Sequence, residues 1–327
     1  MGWIRKNWFV LGIVAALIAG YLLGERGSLL NPSGITNRAV VLILFFIIGM
    51  TLPSDRIRQD LNTPALHVII QLFIFGVAPL LFLSARLFFR DAMGGQLLVG
   101  IYALAVLPTT VSSCIVFTQS AGGNTVAAVF NASFANTVGI FVSPLLLSLL
   151  LSGTSVALPE GQLLTTLRSL MLNMLAPIVA GQLVRIRGRA FLDRHRKKFG
   201  TASSALILVV VVLAFARTAS DPEFFSNAVE LPWALAYLAA VHLLLVGLVF
   251  LVSRAAKLPR ADRITAIFVA PQKTLALGAP LLTVFFEGQA VLGVALLPLV
   301  FYHPFQLLVA GILRARIEAH HETQSSG

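Results

Sequence analysis

The sequence predicts an all-α polytopic membrane protein of ten transmembrane helices, and three observations carry that reading. Only 11% of its 327 residues are Asp, Glu, Lys or Arg, against about 25% in an ordinary soluble domain. Residues of the set AVILMFWYC make up 57% of the chain, and its mean hydropathy is +0.90. The apolar residues also gather in blocks near the about 20 residues that a helix needs to cross a bilayer. A water-soluble globular protein is excluded.

Taken in order between clusters of charge, proline and glycine, the blocks give ten spans. The first, Trp8 to Leu23, follows Arg5 and Lys6 as the apolar part of a signal peptide would, yet no A-x-A cleavage site precedes the next block. It therefore counts as a helix. Arg38 to Leu52 and Ala65 to Phe89 follow, the latter with Gln71 inside it. Leu97 to Gln119 carries Pro108 near its middle, and Thr125 to Leu151 carries several amides and hydroxyls. Leu163 to Val184 and Phe199 to Ala216 flank the most basic segment of the chain. Leu231 to Val252 precedes a second basic stretch, Ile264 to Phe286 carries Pro271, and Ala290 to Leu313 carries His303. The tail A-H-H-E-T-Q-S-S-G is polar and predicted disordered. Its adjacent His320 and His321 do not make a metal site.

The net charge of +11 and the pI near 10.8 match those of many phosphate binders. Position argues against a nucleic-acid partner, because nearly every Lys and Arg sits at the end of an apolar block, as the positive-inside bias requires. With the N-terminus inside, seventeen basic residues fall on the inner side and six on the outer. This predicts a multi-pass protein of the cytoplasmic (inner or plasma) membrane with both termini in the cytoplasm. The lone Cys114 excludes an internal disulfide and reads as a small buried apolar residue.

The halves look related. A-G-Y-L-L-G-E-R-G from Ala19 resembles A-G-Q-L-V-R-I-R-G from Ala180, 161 residues later, and a shift of that size carries the first five spans onto the last five. An odd number of spans per half makes the repeat inverted. Residues 1–152 form the first repeat, 153–316 the second, and 317–327 the cytoplasmic tail.

Inverted-repeat transporters bind near the midplane, where one helix of each half is interrupted. Here V-L-P-T-T-V-S-S-C places Pro108 before Thr109, Thr110, Ser112 and Ser113, and V-A-P-Q-K-T-L-A places Pro271 before Gln272, Lys273 and Thr274. Pro108 and Pro271 stand 163 residues apart, at equivalent places in the repeats. Ordinary proline kinks are the simpler reading of each alone; their matched positions favour paired breaks. An ammonium at mid-bilayer costs roughly 3 kcal/mol on insertion scales, so Lys273 should face a cavity or a partner. No span holds a central carboxylate. Hydroxyls, amides, backbone carbonyls, an anionic substrate or loss of its proton remain. Other polar candidates are Gln71, Asn124 and Asn131 seven apart on one face, Ser133, Asn136 and Thr137 on another, and His303 in Y-H-P-F-Q. Taken singly, such residues more often join helices than bind ligand.

With these motifs, V-I-I-Q-L and F-N-A-S-F-A-N, essentially the whole chain resembles the bile acid:sodium symporter superfamily, most closely its sodium/bile acid cotransporter 7-like (SBF-like) branch. The resemblance implies a panel and a core domain, broken helices four and nine crossing, and sodium-coupled uptake of organic anions. It implies sodium-site roles for Gln71 and Gln272, with Ser112 and Ser113 near further ligands and His303 beside the substrate cavity. The departures are pointed. The family's bridging glutamate falls at Phe268, the asparagine after the glutamine is Lys273, and the hydroxyls expected around Ala128 and Ala132 are absent.

Sodium needs oxygen ligands and benefits from anionic charge. Loss of the only carboxylate, and gain of an ammonium within the same helix, argues against two bound sodium ions. The leading expectation is therefore a secondary active transporter of a small organic anion, with Lys273 replacing a coupling cation or serving proton coupling, and no cofactor beyond sodium or proton. Its candidate site is Lys273, Gln272, Thr274, Gln71, Thr109, Thr110, Ser112, Ser113, Asn131 and His303. A residual sodium site at Gln71 and Gln272, as in a sodium-coupled symporter, is the alternative, and a non-transporting regulator on the same fold is a third. If substrate is its partner, Lys273→Ala should weaken binding with little change in folding. An enzyme is not expected, since the chain lacks H-E-x-x-H, G-x-S-x-G and any intramembrane carboxylate.

Overall fold

The computed structural model describes residues 8–31, 34–52, 63–89, 92–152, 162–219, 230–286 and 291–325. Regular structure among them is helical: α1 Trp8–Leu23, α2 Ile35–Thr51, α3 Pro64–Leu87, α4 Ala92–Val106, α5 Ser112–Ser120, α6 Thr125–Leu151, α7 Gln162–Arg194, α8 Arg196–Ala219, α9 Glu230–Ala255, α10 Arg260–Val269, α11 Leu275–Phe285 and α12 Val291–Ser325. Among the described residues five of these, α3, α6, α8, α9 and α12, are long and apolar enough to cross a bilayer. Their outer faces carry large apolar side chains that water would penalise, such as Leu80, Trp233 and Leu308, each more than 60% exposed. Lipid accounts for such a surface. Of the basic residues that orient the chain, Arg5, Lys6, Arg56, Arg58 and Arg90 lie outside the described residues, as does residue 153 at the repeat boundary.

Three local departures have physical reasons. The basic segment between the sixth and seventh blocks is helical rather than a loop. α7 bends at Gly188 (φ −107°, ψ 16°), which brings Asp193 within 3.0 Å of the buried Arg185, whose Nη1 also donates to Met50 O. The last helix continues to Ser325 where a disordered tail was expected from 317, because R-A-R-I-E-A holds good helix formers and an Arg314–Glu318 pair at i,i+4 (3.2 Å). Asn124 does not join a polar face with Asn131. It caps α6, accepting from Ala127 N (3.0 Å) and donating to Asp262 Oδ1 (2.9 Å).

Glycines set the closest helix contacts. A Cβ at Gly49 would strike Ile178 O, and one at Gly181 would strike Phe46 O, so α2 and α7 touch backbone to backbone. Gly100 does the same for α4 against Ala295 of α12. Small residues are how helices associate where lipid removes the hydrophobic drive.

Candidate functional site

The chain is not helical between Val106 and Ser112, nor between Val269 and Leu275. A break in a buried helix exposes carbonyls that must find other donors. They do so one after another. Leu104 O accepts from Leu107 N (3.3 Å), Ala105 O from Lys273 Nζ (2.8 Å), Val106 O from Ser143 Oγ (2.7 Å), and Leu107 O again from Lys273 Nζ (2.9 Å). Pro108 O accepts from Thr274 N (2.9 Å), Thr109 O from Asn136 Nδ2 (2.8 Å), and Thr110 O from Cys114 Sγ (2.6 Å). The two breaks therefore touch directly, and α6 supports the first of them.

The second break is held by α12. Gln306 grips the Lys273 backbone from both sides, its Oε1 accepting from Lys273 N (2.7 Å) and its Nε2 donating to Lys273 O (2.8 Å). The Tyr302 hydroxyl lies 3.1 Å from Pro271 O and 2.8 Å from His242 Nδ1, which links α9 and α12 to the second break.

Lys273 takes its third partner from α3, where Ile74 O lies 3.0 Å from Nζ. That carbonyl is open for a reason written in the sequence. Phe73–Val77 forms a π-turn, in which Ala78 N bonds back to Phe73 O; the next rung would run from residue 79 to Ile74, and residue 79 is proline. An ammonium has three donors. Here three backbone carbonyls from two segments satisfy all of them, with Lys273 only 1% exposed. Of the partners open to it from the sequence, carbonyls are the ones it uses.

The hydroxyls of the first break meet the amide of the second. Thr110 Oγ1 donates to Gln272 Oε1 (2.5 Å), and Ser113 Oγ lies 2.6 Å from Thr110 Oγ1 and 3.0 Å from Gln272 Oε1. A separate cluster joins α3 to α6: Gln71 Nε2 donates to Asn131 Oδ1 (3.1 Å), and Asn131 Nδ2 reaches Ala127 O (2.9 Å) and His67 Nδ1 (2.8 Å). Buried Gln71 Oε1, Gln272 Nε2, Thr109 Oγ1 and Ser133 Oγ have no hydrogen-bond partner among the described residues. Phe268 is buried and stacks on Phe117 (centroids 5.8 Å apart), and Ala128 and Ala132 are fully buried, so none of these three side chains offers an oxygen.

In front of the breaks lies a cavity of about 300 Å³. Thr110, Ser112, Ser113 and Asn136 line one wall, and Thr274, Leu275 and His303 another. Opposite them stand Phe9 of α1, Ile48, Thr51 and Leu52 from the end of α2, and one face of α8 formed by Arg196, Gly200, Ser203, Ser204 and Ile207. The candidate residues thus divide. Thr110, Ser112, Ser113, Thr274 and His303 face the cavity, whereas Lys273, Gln272, Thr109, Asn131 and Gln71 do not line it.

Sequence reasoning missed several participants. Gln306 and Tyr302 flank His303 in Y-H-P-F-Q, and their proximity to that motif was the available signal. Arg196 was hidden because a basic residue between apolar blocks reads as topology. Nothing in the sequence marked His242 or the Ser203–Ser204 pair.

α5 and α11 begin at the cavity, and neither has a side-chain cap on its first-turn N–H groups. Uncapped helix N-termini favour anions. Arg196 adds a full positive charge at the far side, and no Asp or Glu is among the described residues that line the space. The arrangement suits a small anion with some apolar surface.

Known proteins are similar in sequence along nearly the whole chain. Sodium/bile acid cotransporter 7 of Rattus norvegicus is 31% identical over 330 aligned positions, covering 99% of this chain and 96% of that one. Its namesake in Danio rerio is 30% identical over 321, covering 96% and 94%. An uncharacterised Pseudomonas aeruginosa protein is 32% identical over 315, covering 94% and 92%. The named relatives are transporters, not enzymes. A family model for SBF-like CPA transporters matches residues 7–319, and so this chain belongs to the SBF-like CPA transporter family.

Proposed function

We propose that the chain carries a small organic anion across the cytoplasmic membrane as a secondary active transporter. The observation that carries this reading is the cavity bounded by two uncapped helix N-termini and Arg196, with no carboxylate among the described residues that line it. Its volume lies at the low end for small-molecule sites, which suits a compact substrate. Arg196 belongs to a segment of seven basic residues from Arg185 to Lys198, so by the positive-inside bias the cavity mouth is read as cytoplasmic, with both termini on the same side.

In this reading the ten spans form a 5+5 inverted repeat, with the broken spans four and nine crossing in a core domain and α1, α2, α7 and α8 serving as the panel. Lys273 stands where a coupling cation would lie, as three converging carbonyls are a cation's natural shell. Transport is then uncoupled from sodium, or coupled to protons through Lys273. Gln272, Thr109, Asn131 and Gln71 act behind the cavity, holding the breaks in register.

A second reading, sodium-coupled symport, is favoured by one observation. Gln71 Oε1 and Ser133 Oγ are buried without partners among the described residues, and sodium takes such oxygens. The relatives' printed names also speak of sodium and bile acid.

Proteoliposome uptake of a panel of monocarboxylates, dicarboxylates and sulfonates tests both. Uptake of at least one anion, unchanged when potassium or choline replaces sodium and reduced several-fold by Arg196→Gln, supports the first reading. Strict dependence on sodium supports the second. Absence of uptake across the panel together with no anion-induced thermal stabilisation overturns both.

A further inference from the structure

A second, larger cavity of about 480 Å³ lies between α9, α10 and α12, away from the breaks. Each helix presents one face to it, and the three faces share a pattern. On α9, Phe250 is followed one turn later by Arg254, beside the last residue of the helix and the four-residue link into α10. On α10, Arg260 and Arg263 come first, then Ile264 and Ile267 deeper along the same face. On α12, Leu313 precedes Arg316. All four arginines stand toward the same end, with Phe250, Ile267 and Leu313 about one turn further in and Ile264 and Ile317 beside them.

The positive-inside bias explains why arginines occur at this level of the bilayer; it does not explain their convergence on one cavity. The charges are also set against local preference. Arg260 and Arg263 occupy the first turn of α10, whose positive dipole end disfavours cations, and its N-cap is Pro259, which offers no side-chain acceptor. Two acidic side chains of these helices have partners away from the cavity. Asp262 accepts from Asn124 Nδ2 at 2.9 Å, and Glu318 pairs with Arg314 at 3.2 Å. No Asp or Glu is among the described residues that line the cavity.

The geometry points to a binding site for an anionic phospholipid, its phosphate headgroup held by Arg254, Arg260, Arg263 and Arg316 and its acyl chain laid along Phe250, Ile267 and Leu313. Guanidinium groups pair bidentately with phosphate oxygens. Phe250 is 43% exposed, so the apolar wall continues onto the outer surface of the bundle, where a lipid chain lies. A free inorganic anion would use the arginines and leave that wall bare.

The test uses the full chain purified in a neutral detergent. Bound lipid is counted by native mass spectrometry, and thermal unfolding is followed during titration with phosphatidylglycerol, with phosphatidylcholine of the same acyl chains, or with inorganic phosphate. Phosphatidylglycerol should bind and raise the unfolding temperature, and each arginine removed should weaken it about fivefold, through R254Q, R316Q and their combination. The single variants carry the test if the double one does not fold. R254K/R316K should keep most of the binding, and R187Q/R194Q, in the other basic segment, should keep all of it. Equal binding of phosphatidylcholine, an undiminished effect in R254Q or R316Q, or equal loss in R187Q/R194Q would overturn the site. Full stabilisation by inorganic phosphate would replace the lipid with a soluble anion and overturn the assignment as well.

Discussion

Replacing Lys273 by methionine keeps the reach of the side chain and removes its three donors. Ile74, Ala105 and Leu107 would each lose a bond of 2.8–3.0 Å inside the bundle. A buried carbonyl left without a donor costs roughly 1–3 kcal/mol, so the three together come to about 6 kcal/mol at the centre of that range. Against this stands relief of the roughly 3 kcal/mol that an ammonium costs at mid-bilayer. The first effect wins, and Lys273→Met should destabilise the protein by about 3 kcal/mol. Little change in folding is the expectation for a Lys273 whose partner is substrate; its bonds to the first break and to α3 lead to this different prediction.

Pro79 makes the argument specific. In Pro79→Ala the restored N–H falls in π register with Ile74 O, so one of the three carbonyls already has a donor when Lys273 is removed. The double variant should then be more stable than additivity predicts by roughly 1–3 kcal/mol. Denaturant unfolding in detergent of the wild type, both single variants and the double variant measures this coupling. Lys273→Met as stable as the wild type, or strict additivity with Pro79→Ala, would refute the reasoning.

Gln306→Leu leaves the backbone N–H and C=O of Lys273 unpaired and should cost roughly 2–6 kcal/mol by the same unfolding assay. Gly100→Ala drives a methyl against Ala295 O, a backbone atom that cannot rotate away, and should destabilise by about 1–3 kcal/mol; a neutral result would mean that α4 and α12 separate more easily than they pack. Ser112→Cys should react with a membrane-impermeant maleimide applied to the cytoplasmic face of inside-out vesicles, because Ser112 lines the cavity, while the buried Cys114 stays unlabelled; labelling from the opposite face alone would reverse the assigned orientation.

Much of this arrangement was legible where one residue type has one physical consequence. Pro108 and Pro271 interrupt helices because proline lacks an N–H, and both interruptions are there. Apolar blocks such as Trp8–Leu23 and Thr125–Leu151 matched their helices end to end. The candidate site was only half legible. Thr110, Ser112, Ser113, Thr274 and His303 face the cavity, but Lys273 and Gln272 turn away from it. That depends on which carbonyls packing leaves open, and the opening at Ile74 arises from Pro79, 194 residues earlier in the chain. Charge counting also concealed Arg196, since its chemistry depends on α8 starting at the cavity mouth.

The hydrogen bonds around Lys273 bear on how such a site can operate. Through its ammonium and backbone it connects α3, the first break and α12, and Asn136 and Ser143 bind α6 to the same break. These segments form a mutually bonded unit. Across the cavity, α2 and α7 are joined by bonds of their own, from Gln182 Nε2 to Gly49 O (2.6 Å) and from Arg185 Nη1 to Met50 O (3.3 Å), beside backbone contact at Gly49 and Gly181. Movement between the two units would part side chains at the cavity and spare the carbonyl partners, whereas movement at a break would leave several buried carbonyls without donors. The lower-cost motion is therefore the first. A lysine bonded this way travels with the breaks, where an exchangeable ion would be free to leave them. For that reason the Lys273 variants should change stability before they change substrate affinity, and the Arg196 variant should do the reverse.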